Sequence, residues 1–352
     1  VIPSAPKRSA SSATCSKLGT SPPRELRSTA ILFMLTLSFV ILICIFASVK
    51  LKLFLITGMK IYFFSRPLLS HTASDLRLII DTTARLGVDL VVNEELAELI
   101  SQLCGVEIPR ENTFTTLPPQ IDVNDSIMVS YGGDGTFLEA VRRLAGNPIP
   151  LVGVNCGHLG FLSSIPVQNI GQALEEIVAG NFVIEKRSML EVTGDFPVRP
   201  AFPHAFNEFS IQRQDTSMIY VDTYAGEQMV ARYAGDGVIL STPSGSTAYS
   251  LSVGGPIISP DCHCFTISPI APHNLTMRPL VVPDDTELEF HITSQSPSAT
   301  VSLDNCIFQV PSNARFKVVK SKKTVFIARF QNISFFDTLR NKLMWGVDPR
   351  EK

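Results

Sequence analysis

The sequence predicts two domains in series: an α/β N-terminal domain, doubly wound and Rossmann-like, and an all-β sandwich after it. Three observations carry this. From Lys60 to Ala179, apolar runs of strand length alternate with amphipathic helical stretches joined by short links. From Phe182 onward the chain turns to short β-rich runs separated by turn residues. Glycine-rich loops fall where a strand ends and a helix starts, the place where open α/β sheets bind ligands.

The α/β part begins with a strand at Lys60–Ser65 and a helix near Ser74–Leu86, whose apolar stripe is Leu76, Ile79, Ile80 and Thr83. Gly87 ends that helix, Val88–Val92 is the next strand and Glu94–Leu103 the next helix. A central strand, Ser126–Val129, runs into Ser130-Tyr131-Gly132-Gly133-Asp134-Gly135-Thr136. The helix that follows is expected over Thr136–Ala145, with Thr136 and Glu139 at capping-box spacing and Gly146 as its stop. Strand Pro150–Val154, a second glycine loop at Asn155–Leu162 and helix Gln168–Ala179 complete the alternation. β-like runs then recur at Phe182–Val192, Ala205–Gln212, Ile219–Tyr224, Met229–Tyr233 and Val238–Ser241, and again at Cys264–Ser268, Glu287–Ile292, Thr300–Leu303 and Phe316–Ile327. Phe335–Trp345 has a helical pattern and is expected to return to the α/β domain. The expected division is therefore 59–180 plus 334–346 for the α/β domain and 181–333 for the sandwich.

Composition narrows the class. A length of 352 residues suits two domains, and a net charge of -2 offers no basic surface for nucleic acid. Seven scattered cysteines form no secreted disulfide pattern, which points to a reducing compartment and a cytoplasmic protein. Cys262-His263-Cys264 is too crowded for a zinc site of ordinary spacing, so no metal set is assigned. Residues 1–58 read as a leader. Within it 28–49 carry no charge, the length and character of a membrane span or signal anchor. In the competing reading the leader is translated upstream sequence and Met59 opens the first strand. A membrane tether follows only from the first.

Three stretches carry chemistry. In the first, Gly132, Gly133 and Gly135 bring backbone N–H groups close to a phosphate, and the helix start at Thr136 adds unpaired donors. Asp134 is the odd member, because a carboxylate beside phosphate is repulsive unless it binds a cation or takes a proton. Both roles belong to phosphoryl transfer. In the second, Asn207-Glu208 breaks into a β-like run with an amide suited to an adenine edge and a carboxylate suited to ribose hydroxyls. The third is Gly235–Pro256, which packs hydroxyls and glycines into one long loop containing Asp236 and Thr247-Ala248-Tyr249-Ser250-Leu251-Ser252. Loops of that length and composition are usually functional, and Tyr249 can stack on a ring.

Together, Gly-Gly-Asp-Gly-Thr (132–136), Asn207-Glu208 and Gly235–Pro256 resemble the NAD kinase family, above all its bacterial members, over Met59 to Arg350. The first motif alone is shared with diacylglycerol and sphingosine kinases; the other two narrow the resemblance. It implies an α/β domain with a β-sandwich, and transfer of the ATP γ-phosphoryl group to the 2′-hydroxyl of the adenosine ribose of NAD. It implies Asp134 as general base with Gly135 beside it at the ribose, and Mg²⁺ or another divalent cation on the phosphates. Asn207 and Glu208 would hold the adenosine half. Thr247 through Ser252 would line the same pocket, with Tyr249 near the nicotinamide. Asp236 and the region of Ala271 would reach a neighbouring subunit's NAD, which implies a homo-oligomer, dimer or tetramer. Many relatives carry Arg two residues before this Asp; here it is Ala234. The alternatives are a lipid kinase sharing the glycine motif and an inactive nucleotide-binding regulator.

Overall fold

The structure, a computed structural model, describes residues 58–66, 71–118, 121–157, 159–330 and 334–346. The leader and its apolar stretch 28–49 lie outside the described residues. Among the described residues no helix is long and apolar enough to cross a membrane.

Strand Lys60–Phe64 lies inside a parallel layer. Asp89–Asn93 pairs with one of its edges and Ser126–Tyr131 with the other. Beyond these lie the short pair Thr113–Phe114 on one side and Leu151–Asn155 on the other. The chain thus builds outward in one direction, then crosses back and builds in the other. The switch falls between Lys60–Phe64 and Ser126–Tyr131, and a crevice opens at the carboxyl ends of such a pair. Every residue of Ser126–Tyr131 and Leu151–Asn155 is buried, as expected of central parallel strands.

The helices cover this layer through apolar stripes. Ala73–Leu86 starts at Thr72, whose side chain accepts from the Asp75 N–H, and ends at left-handed Gly87. Leu76, Ile79 and Thr83 are buried as the periodicity predicts, joined by Thr82, while Ile80 is only half-buried. Glu94–Cys104 and Ile170–Ala179 end at Gly105 and Gly180 in the same way.

One expected boundary is wrong. The helix after the glycine loop spans Asp134–Leu144, so Asp134 is its first residue, and its N-cap Gly133 offers no side chain. The expected capping box does not form. Glu139 instead takes both Arg142 and Arg143, with Oε1 at 2.6 and 3.1 Å. At the far end the left-handed residue is Ala145 (φ 50°), one before the expected Gly146.

The β-rich part forms two antiparallel layers. One contains Ile219–Ala225, Gln228–Gly235, Leu288–Ser294, Val183–Gly194 and Arg315–Arg329. The other runs Leu280–Pro283, Cys264–Ile270, Gly237–Ser241, Glu208–Arg213, Ser298–Leu303, Cys306–Pro311. Phe209, Ile211, Phe290, Val301 and Phe316 fill the space between them. The first layer does not stop at the α/β part. Arg315–Arg329 pairs antiparallel with Val183–Gly194 along its length and parallel with Leu151–Asn155 at Ile327. A single sheet therefore runs through both parts of the molecule. After it, Ser334 and Asp337 form a capping box that starts helix Phe335–Leu343, with Thr338 and Leu339 buried.

Candidate active site

The glycine loop leaves Tyr131 at the switch point. Gly132 has φ 157°, and a Cβ there would lie 2.4 Å from Thr136 Oγ1, so only glycine fits. Thr136 is buried beneath the loop and packs against it. Gly133 caps the helix, and a Cβ on Gly135 would stand 3.0 Å from the Arg66 guanidinium, which follows the neighbouring strand.

Asp134 is clasped by the second glycine loop. Its Oδ2 accepts from Phe161 N at 3.0 Å, and its Oδ1 from Leu162 N at 3.1 Å and Ser163 N at 2.9 Å. The approach is so close that a Cβ on Gly160 would fall 1.9 Å from Oδ1. Lys342, from helix Phe335–Leu343, stands 3.5 Å from Oδ2. Helix Phe335–Leu343 thus stands beside Asp134.

Across a cavity of about 320 Å³ lie Asn207 and Glu208. The strand they interrupt breaks between His204–Ala205 and Glu208–Arg213. Backbone donors freed by that break are collected by one carboxylate. Asp304 Oδ2 accepts from Phe206 N at 2.8 Å, and Oδ1 from Asn207 N at 2.7 Å and Glu208 N at 3.1 Å. Asp304 sits at left-handed φ 51° in the turn between Ser298–Leu303 and Cys306–Pro311. From the other side Asn207 O accepts Thr242 N, and Gly245 packs so tightly that its Cβ would lie 2.1 Å from that oxygen.

The side chains held this way are buried yet incompletely bonded. Asn207 Oδ1 and Glu208 Oε2 have no partner among the described residues. Burial, with the Asp304 charge behind it, pushes the Glu208 carboxyl up to about 8, against a hydrogen bond from the Tyr249 backbone. Burial also raises Asp304 to about 6, opposed by its three N–H donors. Buried polar atoms are nearly always paired, so two orphans on residues that line one cavity mark a place where a polar ligand could complete the set.

Thr247 and Ala248 line the same cavity as Asp134, Asn207 and Glu208. Within the turn Tyr249–Ser252, Tyr249 and Leu251 are half-buried, Ser252 is exposed and Ser250 is fully buried. Ser250 Oγ faces Ser268 Oγ at 3.2 Å, beneath Gly255, in a packing position. Asp236 and Ala271 adjoin each other, with Asp236 N bonded to Ile270 O, but do not line this cavity. Asp236 pairs with Arg213 of the adjacent strand at 2.7 Å. Among the described residues no three His, Cys, Asp or Glu side chains gather as a metal set.

Three contributors escaped the sequence reading: the Gly160–Ser163 clasp, Asp304 and Lys342. The second glycine loop was visible as a loop. Asp304-Asn305 sits between two β runs as a turn signal. Nothing local to Lys342 announces its role.

A glycine loop at the switch point, a clasped carboxylate at a helix start and an unpaired amide–carboxylate couple across the cavity define a nucleotide-using phosphotransferase. Comparisons with known proteins narrow the class. Residues 68–182 match the ATP-NAD kinase N-terminal domain and residues 206–330 the ATP-NAD kinase C-terminal domain. An NAD kinase of Flavobacterium johnsoniae is 38% identical over 270 residues, covering 75% of this chain and 90% of that protein. One of Porphyromonas gingivalis is 37% identical over 299 residues, covering 83% and 99%. The chain belongs to the NAD kinase family. Solved structures agree in fold. Yeast NADH kinase complexed with NADH superposes with TM-score 0.71 at 24% identity, covering 83% of this chain and 89% of that one. An Archaeoglobus fulgidus NAD kinase in complex with ATP gives 0.62 at 24%, covering 81% and 99%. Neither the lipid-kinase nor the regulator reading gains support from these matches.

Proposed function

We propose that the chain transfers the ATP γ-phosphoryl group to the 2′-hydroxyl of the adenosine ribose of NAD, forming NADP, with Asp134 as general base. The observation that carries this is that Asp134, Asn207 and Glu208 line one cavity, the last two each with a buried oxygen that has no partner among the described residues. A ribose hydroxyl is a poor nucleophile at neutral pH and needs a base within hydrogen-bond reach. Asn207 and Glu208 hold the adenosine half so that this hydroxyl faces Asp134, with Gly135 beside the ribose. Thr247 and Ala248 form the adjoining wall, and Tyr249 lies toward the nicotinamide. Gly132 and Gly133 leave the phosphate donor room at the helix start.

The chain offers no preformed metal cage among its described residues. That suits Mg²⁺, which keeps waters and takes one or two carboxylates together with substrate phosphates. The ion would neutralise phosphate charge, leaving Asp134 to take the proton. Asp236 and Ala271, set beside each other outside the cavity, fit contacts with a neighbouring subunit of a homo-oligomer, dimer or tetramer. A cytoplasmic protein divided into 59–180 with 334–346, and 181–333, completes the reading. The test is direct: the purified full chain with ATP, Mg²⁺ and NAD should form NADP, and no NADP under any divalent cation would overturn it.

A further inference from the structure

We propose that Lys342, on the C-terminal helix, is the cation that receives the transferring phosphoryl group. This rests on the phosphotransfer reading above and adds to it a residue outside every recognised motif.

Geometry comes first. Lys342 Nζ stands 3.5 Å from Asp134 Oδ2 and 4.6 Å from the centroid of the Phe161 ring. Asp134 and Phe161 both line the cavity, and Phe161 N is one of the donors that clasp Asp134. The ammonium therefore rests at the cavity rim, against the carboxylate and the loop that hold the reacting atoms. Its side chain is 32% exposed, open enough to shift toward a ligand. The helix carrying it is not a frayed end: it has a full capping box at Ser334 and Asp337, and it buries Thr338 and Leu339.

Charge comes second. The cavity is lined by Asp134, Asp304 and a Glu208 that burial keeps protonated in the free protein, and among the described residues by no Lys or Arg. A triphosphate approaching Asp134 would meet like charge. Among the described residues Lys342 is the cation paired with Asp134.

The chemistry then explains why a cation should be parked on the base. In the transfer, an O2′ lone pair forms the new O–P bond and the γ-phosphorus–bridging-oxygen bond breaks. Its electrons leave with ADP, and the O2′ proton passes to Asp134. Lys342 exchanges no proton. Before transfer its ammonium is shared with an anionic Asp134. As Asp134 takes the proton its charge disappears, and the phosphoryl oxygens become the remaining anionic partner. The interaction with phosphoryl strengthens along the reaction coordinate, which is the condition for lowering the barrier rather than tightening the ground state.

The experiment compares Lys342→Met and Lys342→Arg with wild type. Lys342→Met should lower kcat about 10²-fold, the usual loss for one preorganised charge donor. KM for NAD should stay within about twofold, since ground-state binding is untouched. Binding of ADP with aluminium fluoride and NAD, a planar phosphoryl mimic, should weaken while ATP binding holds. Lys342→Arg should recover much of the rate. A purely structural role would lower the melting temperature and weaken ATP and the mimic equally, overturning the assignment. So would a Lys342→Met variant with wild-type kcat. A wild-type chain that forms no NADP overturns the function itself, whereas normal NADP formation unaffected by Lys342→Met overturns only the role of Lys342.

Discussion

Each half of the cavity has an aspartate that collects three backbone N–H groups, and the two aspartates do opposite jobs. Asp134 draws Phe161, Leu162 and Ser163 around a carboxylate that itself faces the cavity. Asp304 draws Phe206, Asn207 and Glu208, and the groups presented to the cavity include the side chains of that clasped segment. In the first half the reactive group is satisfied and fixed before any ligand arrives. In the second, the backbone is fixed while Asn207 Oδ1 and Glu208 Oε2 are left unmet. Chemistry demands a preset base, because misplacement costs rate steeply. Recognition demands unmet partners, because a polar atom already satisfied by the protein discriminates nothing. The second half gives up stability for this, since each buried orphan costs about 1–3 kcal/mol until a ligand pairs it.

Four changes break or sharpen this contrast. Asp134→Asn removes the proton acceptor and, because an amide nitrogen cannot accept, also gives up the N–H bonds on one side of the clasp. Turnover should fall about 10²–10⁴-fold with NAD affinity nearly intact; kcat and calorimetric titration check this, and normal turnover in a folded variant would remove Asp134 from the mechanism. Gly160→Ala attacks the clasp itself, because the new Cβ would overlap Asp134 Oδ1. Displacing the carboxylate by about 1 Å should cost about 10²-fold in kcat while NAD still binds. Equal losses in kcat and NAD affinity would mean the two halves are not separate.

Asn207→Ala tests the other half. NAD binding should weaken by about 1–3 kcal/mol and ATP binding much less. Calorimetric titrations with melting curves decide it: equal loss for both ligands with a lower melting temperature would make Asn207 a structural residue. The smallest effect is in pH. Glu208 is raised to about 8, so in the free protein at pH 7 it is protonated. The folded state then holds more protons than the unfolded one, and stability of the free protein should decline as pH rises toward about 8. Ribose hydroxyls donating to Glu208 favour its ionised form. NAD affinity should therefore rise over the same interval, with proton release seen by titration in buffers of differing ionisation enthalpy. Glu208→Gln should flatten both profiles; unchanged slopes would assign the proton elsewhere.

What the sequence made legible follows from what is local. Strand–helix alternation, the glycine loop and the Asn207-Glu208 interruption are contiguous signals, and each lands on the element expected of it. The capping box at Thr136 and Glu139 misled because the helix begins at Asp134 with Gly133 as its cap, which puts Thr136 inside the first turn with its N–H on Gly133 O, and Glu139 is left to Arg142 and Arg143. Leu280–Pro283 and Cys306–Pro311 were not read as strands. Leu280–Pro283 is a mostly exposed edge, and in Cys306–Pro311 exposed and half-buried residues alternate with little apolar contrast. Asp304 and Lys342 were invisible for a different reason. Their roles exist only through partners 96–98 and 208 positions away, and no window along the chain contains both ends.

The strand Arg315–Arg329 acts as a beam. Near one end it is bonded to Leu288–Ser294, near the other to Leu151–Asn155, and along its length to Val183–Gly194. A hinge between the α/β layer and the β-rich layer would have to tear those ladders. Bending about a few loop residues, the usual route to cleft closure, is closed to this architecture at its spine. The two parts are thus fastened by backbone hydrogen bonds along one strand rather than joined by a linker alone.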